Sequence, residues 1–378
     1  MQALVIPRLR WTALLSLTGY LFSATSLSSQ QVERYSIPED EVAIYNLAGE
    51  VRLEPGTGAD VTVQVTRGGA DAAKLKVVRG ELDGAETLRF VYPGNRIQYG
   101  RMADGSSTQI RIKDDGTFGD HNDDGHHDGG GRKNEGRQVT IAGRGGGLDA
   151  HADLRIAVPQ GREVAVYLAV GKVSVSNVNG NLSIDAASAP VSTSATRGEL
   201  EIDVGSGVVQ VTKATGDLSV NTGSGAVTVS EVRGESISIE TGSGEVTATN
   251  LRSNELSIGT GSGDIQATSL TAPQVSLETG SGSVTADLSG EVWNVNVQTG
   301  SGDVTLKVPA TLAAEVDIET SSGDIETDFE VAVTRHARDH MTGRIGEGGG
   351  KIDIETGSGG IKLVKNASTG GTGVRPAQ

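Results

Sequence analysis

Between Val164 and Leu363 one pattern of about nineteen residues recurs ten times: two alternating apolar pairs flank a small-residue turn, most often Thr-Gly-Ser-Gly. With the first turn residue as origin, the copies sit at Ala169, Ala187, Gly205, Gly223, Gly242, Gly261, Gly280, Gly300, Ser321 and Gly357. The steps between them are 18, 18, 18, 19, 19, 19, 20, 21 and 36 residues. Positions five and three before each origin, and four and six after it, are apolar everywhere except at Thr193 and Thr327; Leu200, Ile202, Val209 and Val211 show the frame. The residues between them are mostly polar, so each half-copy has the period of two of a strand with one buried face.

Such a short half-copy cannot bury its apolar face alone, and stacked copies supply the missing neighbours above and below. The expected fold is therefore all-β, a parallel β-helix or β-solenoid, with right-handed coiling anticipated from strand twist. Coils about 4.8 Å apart would make a rod roughly 48 Å long. Glycine belongs at the corners because tight turns often need a positive φ. Val42, Ile44, Val51 and Leu53 fit the same frame around Leu47, a single match to one further coil. Two flattened faces, or three with Val178, Val232, Leu251, Leu270 and Leu288 on the short one, both fit the pattern.

A thin core of Val, Ile, Leu and Ala agrees with 3% aromatic residues and 54 glycines in 378. Residues 1–29 place Arg8 and Arg10 before an apolar run from Trp11 to Phe22 and then small residues, the pattern of a secretory signal peptide cleaved after Ser28 or Ser29. The chain has no cysteine, which removes disulfides, thiol chemistry and lipidation of an N-terminal cysteine. Net charge is −16, and losing Arg8 and Arg10 makes it −18. A field of that sign repels nucleic acid and anionic lipid surfaces, and no membrane span is expected after signal cleavage.

Four segments follow: the signal peptide 1–29, an N-terminal β region 30–160, the repeat domain 161–366 and a polar tail 367–378. Within the second, 113–137 is too polar and glycine-rich to pack and reads as a mobile loop between two strands. A second insertion, Phe329 to Gly350, precedes the last copy and is placed to cap an open sheet edge. Ala-Ile-Tyr-Asn-Leu-Ala-Gly at 43–49, Gly-Leu-Asp-Ala-His-Ala-Asp-Leu at 147–154 and the repeated Thr-Gly-Ser-Gly resemble a family of bacterial adhesin-like β-solenoid proteins. The resemblance spans nearly the whole mature chain and implies an exported module of Gram-negative-type bacteria, with no catalytic motif to carry over.

His121, Asp123, Asp124, His126, His127 and Asp128 offer imidazole and carboxylate ligands for zinc, copper or nickel. Their glycine-rich setting supplies no rigid geometry, so adventitious metal binding is the most they are expected to show, and no cofactor is expected. Asp264, Asp303 and Asp324 follow the small-residue turns, but their spacing is twice that of calcium-binding nonapeptide solenoids. Asp203, Glu240, Glu278, Glu319 and Glu355 share an outward column, in which only Glu319 and Glu355 are expected to sit close. The threonines at 222, 241, 260, 279, 299, 320 and 356 read as strand formers rather than an ice-binding array.

The reading that follows is an exported, non-enzymatic, adhesin-like module of the periplasm, cell surface or extracellular space. Its expected partner is a surface ligand, a glycan or an envelope protein, with recognition at the insertions rather than on the repeated faces. The alternatives are a polysaccharide-active β-helix enzyme, which needs a cleft with convergent acids, and a self-assembling filament.

Overall fold

The computed structural model describes residues 32–119, 136–347 and 349–366, where every regular element except the 3-10 turn Ala72–Lys74 is a strand. Each copy is an arch: one strand, the glycine turn, a second strand, then a longer turn to the next copy. Leu200–Ser206 runs parallel to Leu218–Ser224, and Val209–Thr212 to Val227–Arg233, so equivalent residues of successive copies lie side by side. First strands build one face, second strands the other, and the two enclose a core of Val, Ile, Leu and Ala. Every inward position of the frame is buried except Ile325 and Thr327, half-buried on the strand Ile325–Thr327, which among the described residues pairs on one side alone.

The long turn carries a narrow third side rather than a full face. Val178, Val232, Leu251, Leu270 and Leu288 are buried there, with Thr196 and Ala214 filling the coils between. Single parallel bridges, such as Asn179 with Arg197 and Thr215 with Arg233, tie this side from coil to coil.

Glu41–Pro55 lies alongside Glu163–Ser176, with Val42 beside Val164 and Leu53 beside Val175, so the match at Leu47 is a further coil of the stack. Beyond it the edges change character. On one face Ala85–Val91 follows and turns back as the antiparallel strand Lys76–Leu82. On the other, His151–Val158 is followed by antiparallel Val61–Gly68 and then Val32–Ile37. A separate sheet joins Arg96–Gln98, Ser107–Ile112, Arg137–Ala142 and Leu148–Asp149.

The segment after Ser107–Ile112 corrects one expectation, because its first residues do pack. Phe118 is buried edge-on against Tyr45, ring centroids 5.9 Å apart, and Tyr45 stacks on Tyr167 at 4.3 Å. One aromatic side chain suffices to dock an otherwise polar segment. His121, Asp123, Asp124, His126, His127 and Asp128 lie outside the described residues, as do the 1–29 leader and the 367–378 tail.

At the other end the coils leave chain order. Gly350–Thr356 lies between Asn294–Thr299 and Ala314–Thr320, parallel to both. Ile361–Lys365 likewise lies between Val304–Val308 and Ile325–Thr327. The stack therefore reads Gly300, Gly357, Ser321. The 329–350 insertion forms the hairpin Val331–His336 and His340–Ile345, laid antiparallel on Ala314–Thr320 as the terminal cover of that face.

Candidate functional site

The repeated polar residues at the glycine turns are construction. The second turn glycines have positive φ, as Gly263 (140°) and Gly282 (146°) do, and a Cβ on Gly282 would stand 2.1 Å from the Gly263 carbonyl oxygen. The first turn glycines lack positive φ and are required for space: a Cβ on Gly261 would meet the Gly242 carbonyl oxygen at 2.5 Å. The threonines before the turn point inward, and from Thr241 onward their hydroxyls donate across coils: Thr260 to the Gly244 carbonyl at 3.1 Å, Thr279 to Gly263 at 3.0 Å, Thr299 to Gly282 at 3.0 Å. Asp264 Oδ1 accepts from the Ser283 amide at 2.8 Å, and Asp303 Oδ1 from the Gly360 amide at 2.8 Å, while Asp324 lies 3.5 Å from Arg338. Among the described residues no three acids, histidines or cysteines group as metal ligands.

Two charged clusters are larger. Near the N-terminal end Arg101 donates to both oxygens of Asp153, at 2.9 and 2.8 Å, with His151 Nε2 at 3.3 Å and Glu50 at 3.2 Å. Burial pushes the His151 imidazole below its ordinary pKa, against the opposite pull of Asp153. Near the hairpin a groove of about 500 Å³ is lined by Glu315, Asp317, Thr342, Arg344 and Lys351. Interleaving of the last coils brings acids together here: Asp317 faces Asp353, and Glu319 faces Glu355. Asp317 is hydrogen-bonded to His340 at 2.9 Å and Asp353 is paired with Lys351 at 2.5 Å, so each has a partner of its own.

The feature that packing does not explain is Trp293. It precedes Asn294–Thr299 on the long-turn side and is 64% exposed, in a chain with two tryptophans. Its backbone is held from both neighbouring coils: its amide donates to the Pro273 carbonyl at 2.9 Å, and its carbonyl accepts from the Lys351 amide at 2.7 Å. Gly290, with φ 93°, turns the chain just before it, within the 20-residue step of this copy. The side chain lines a groove of about 790 Å³ with Arg252, Asn254, Pro273, Gln274, Glu291 and Asn294.

An indole face left in water forfeits burial worth roughly 1.5–3 kcal/mol for a large apolar side chain, while three neutral amides beside it each present a donor and an acceptor. That combination suits a flat ligand with an apolar face and many hydroxyl groups. Sequence reasoning placed recognition at the insertions and counted Trp293 only as one of three aromatics of the repeat segment, with Tyr167 and Phe329, too few for the aromatic platforms of a carbohydrate-cleaving cleft. The available signal was the second tryptophan of the sequence, and the only one after residue 29, standing in a long turn of polar residues.

The fold and its edges define a β-solenoid of stacked arches with a ligand-sized groove on the long-turn side. The chain belongs to the Toastrack DUF4097 family, whose model matches residues 132–364, in agreement with the adhesin-like solenoid resemblance. Similar solved structures include a putative adhesin from Parabacteroides distasonis, 14% identical, covering 89% of this chain and 96% of that one with a TM-score of 0.43. Another, from Parabacteroides merdae, is 11% identical over 90% of this chain and 98% of that one, TM-score 0.39. A third, from Bacteroides fragilis, is 12% identical over 88% and 96%, TM-score 0.35. No curated protein matches the chain.

Proposed function

We propose that this protein is an exported, adhesin-like binding module that holds a neutral glycan of the cell envelope or a neighbouring cell in the Trp293 groove and does not turn it over. The observation that carries the reading is the exposed indole fixed by backbone hydrogen bonds to two coils, beside Asn254, Gln274 and Asn294. A sugar ring stacks its C–H face on an aromatic ring and exchanges hydroxyl hydrogen bonds with planar amides. Among the described residues Glu291 is the one carboxylate lining the groove, where glycoside hydrolysis ordinarily uses two flanking the scissile bond. Export rests on the leader-like residues 1–29, and the surface or periplasmic location follows from it.

Once residues 1–29 are removed, Trp293 is the sole tryptophan, so its fluorescence reports the groove directly. Titration of the mature protein with cello-, xylo- and chito-hexaose is expected to give a saturable emission change with at least one of them and no shorter products on prolonged incubation. Trp293→Ala, followed by calorimetry, should weaken that binding by about 1–2 kcal/mol, roughly five- to thirtyfold. Product release, or binding indifferent to Trp293→Ala, contradicts the reading.

A further inference from the structure

The C-terminal arch, Gly350–Lys365, reaches its place out of chain order, and the way it is held bears on association. We propose that the slot it fills, between the Gly300 and Ser321 coils, also accepts the same arch from a second copy of this chain, so that two molecules join by reciprocal exchange of their last coil.

The contacts within the slot are those of the stack and are indifferent to which chain supplies the arch. Gly302 N–H donates to Ser358 at 2.8 Å, Val304 N–H to Gly360 at 2.9 Å and Ile361 N–H to Asp324 at 2.9 Å. Thr356 Oγ1 donates to the Gly302 carbonyl at 3.0 Å, and Thr320 Oγ1 to the Gly359 carbonyl at 3.0 Å. Ile352, Ile354, Ile361 and Leu363 complete the core from the arch side. An exchanged arch would restore every one of these interactions in the partner.

The arch is tethered at one end by a short glycine-rich segment. His340–Ile345 lies on the outer side of Ala314–Thr320, Gly350–Thr356 on the inner side, and Gly-Glu-Gly-Gly at 346–349 connects them. Extended, such a linker spans about 15 Å, some three coil spacings, enough to carry the arch outward.

The two walls of the slot differ. On the inner wall Asn296 faces Asp353 and Gln298 faces Glu355. On the outer wall Glu319 faces Glu355, a like-charge pair, while Asp317 and Asp353 bond His340 and Lys351, and Lys362 of the arch meets Glu326 of the outer coil at 3.0 Å. That coil also repeats the arch's inward pattern, Val316, Ile318, Thr320 and Ile325 against Ile352, Ile354, Thr356 and Ile361. A vacated slot can thus close on itself, and the chain stays compact while the arch is out. Reciprocal exchange gives a closed two-fold dimer, favoured by concentration.

The test uses the absence of native cysteine. Gln298 and Glu355 are outward register partners on neighbouring parallel strands, roughly 4.8 Å apart, within disulfide range. Chains carrying Gln298→Cys are mixed at high concentration with mass-labelled chains carrying Glu355→Cys, incubated below the melting temperature, diluted and oxidised. A mixed-mass disulfide dimer is expected, its yield rising with the concentration of the incubation. The control replaces the second chain with Glu278→Cys, a register partner of Gln298 in the same column but not on the arch, and is expected to lose that dimer. Equal yields in both mixtures, or none in either while the double variant Gln298→Cys/Glu355→Cys closes within one chain, overturn the proposal. Failure of the double variant to close overturns the slot geometry and the proposal with it. The glycan titration is read on unmodified protein, so either result stands without the other.

Discussion

At a glycine turn one added carbon decides whether two coils can meet. Gly282 combines a positive φ with a carbonyl 2.1 Å from where its Cβ would be, so Gly282→Ala should cost about 2 kcal/mol or more, seen as a lower thermal midpoint. Thr279→Val keeps the shape but removes the hydroxyl donor to the Gly263 carbonyl, and should cost about 1 kcal/mol. Ile239→Asp should be far worse than Ser238→Asp: the first buries a carboxylate and loses apolar burial, at a cost of about 3 kcal/mol or more, whereas the second stays within about 0.5 kcal/mol. Comparable midpoints for those two variants would contradict the inward frame. At His151 the sign is fixed by a folded pKa lowered from 6.5 through burial. The unfolded chain binds that proton more readily, so this component of stability is complete above the unfolded pKa, falls as pH drops through the interval between the two values, and levels off below the folded one. His151→Gln should flatten that part of a denaturation profile measured against pH.

At the scale of the arch, the inward positions were legible because strand parity is strict: one alternation, set by Val, Ile and Leu, sorts inside from outside. The same parity marks the residue just before the turn as inward, and Leu168, Ala186, Val204 and then Thr222 occupy that column. The threonines were thus readable as buried, and it was their hydroxyl's partner in the next coil that a single chain pattern did not display. The opposite corner was not legible. Asn177, Ala195, Lys213, Glu231, Asn250 and Ser269 all have φ between 55° and 60°, yet they share no chemistry that announces a left-handed backbone. Relief of that conformation outweighs or offsets the added freedom of the unfolded chain, so Lys213→Gly should leave the thermal midpoint unchanged or raise it by up to about 1 kcal/mol of stability. A marked loss would show that the Lys213 side chain contributes packing there.

For the whole stack, local pattern determined the kind of coil but not the order of the last ones. The Ser321 and Gly357 arches carry the same alternation and the same threonine, so each fits the edge left by Val295, Val297, Val304 and Leu306, and only the 36-residue step hinted at a departure. The choice falls to features outside the repeat: the hairpin that covers Ala314–Thr320, and the backbone bond from Lys351 to Trp293. This order also places Trp293 between Pro273 and the C-terminal arch, so the groove and the interleaving depend on one arrangement. Disulfide closure in dilute protein tests it most directly. Gln298→Cys/Glu355→Cys should close within one chain under mild oxidation, and Gln298→Cys/Glu319→Cys, separated by the intervening arch, should remain free thiols. Closure of the second pair but not the first would put the coils back in chain order and contradict the account.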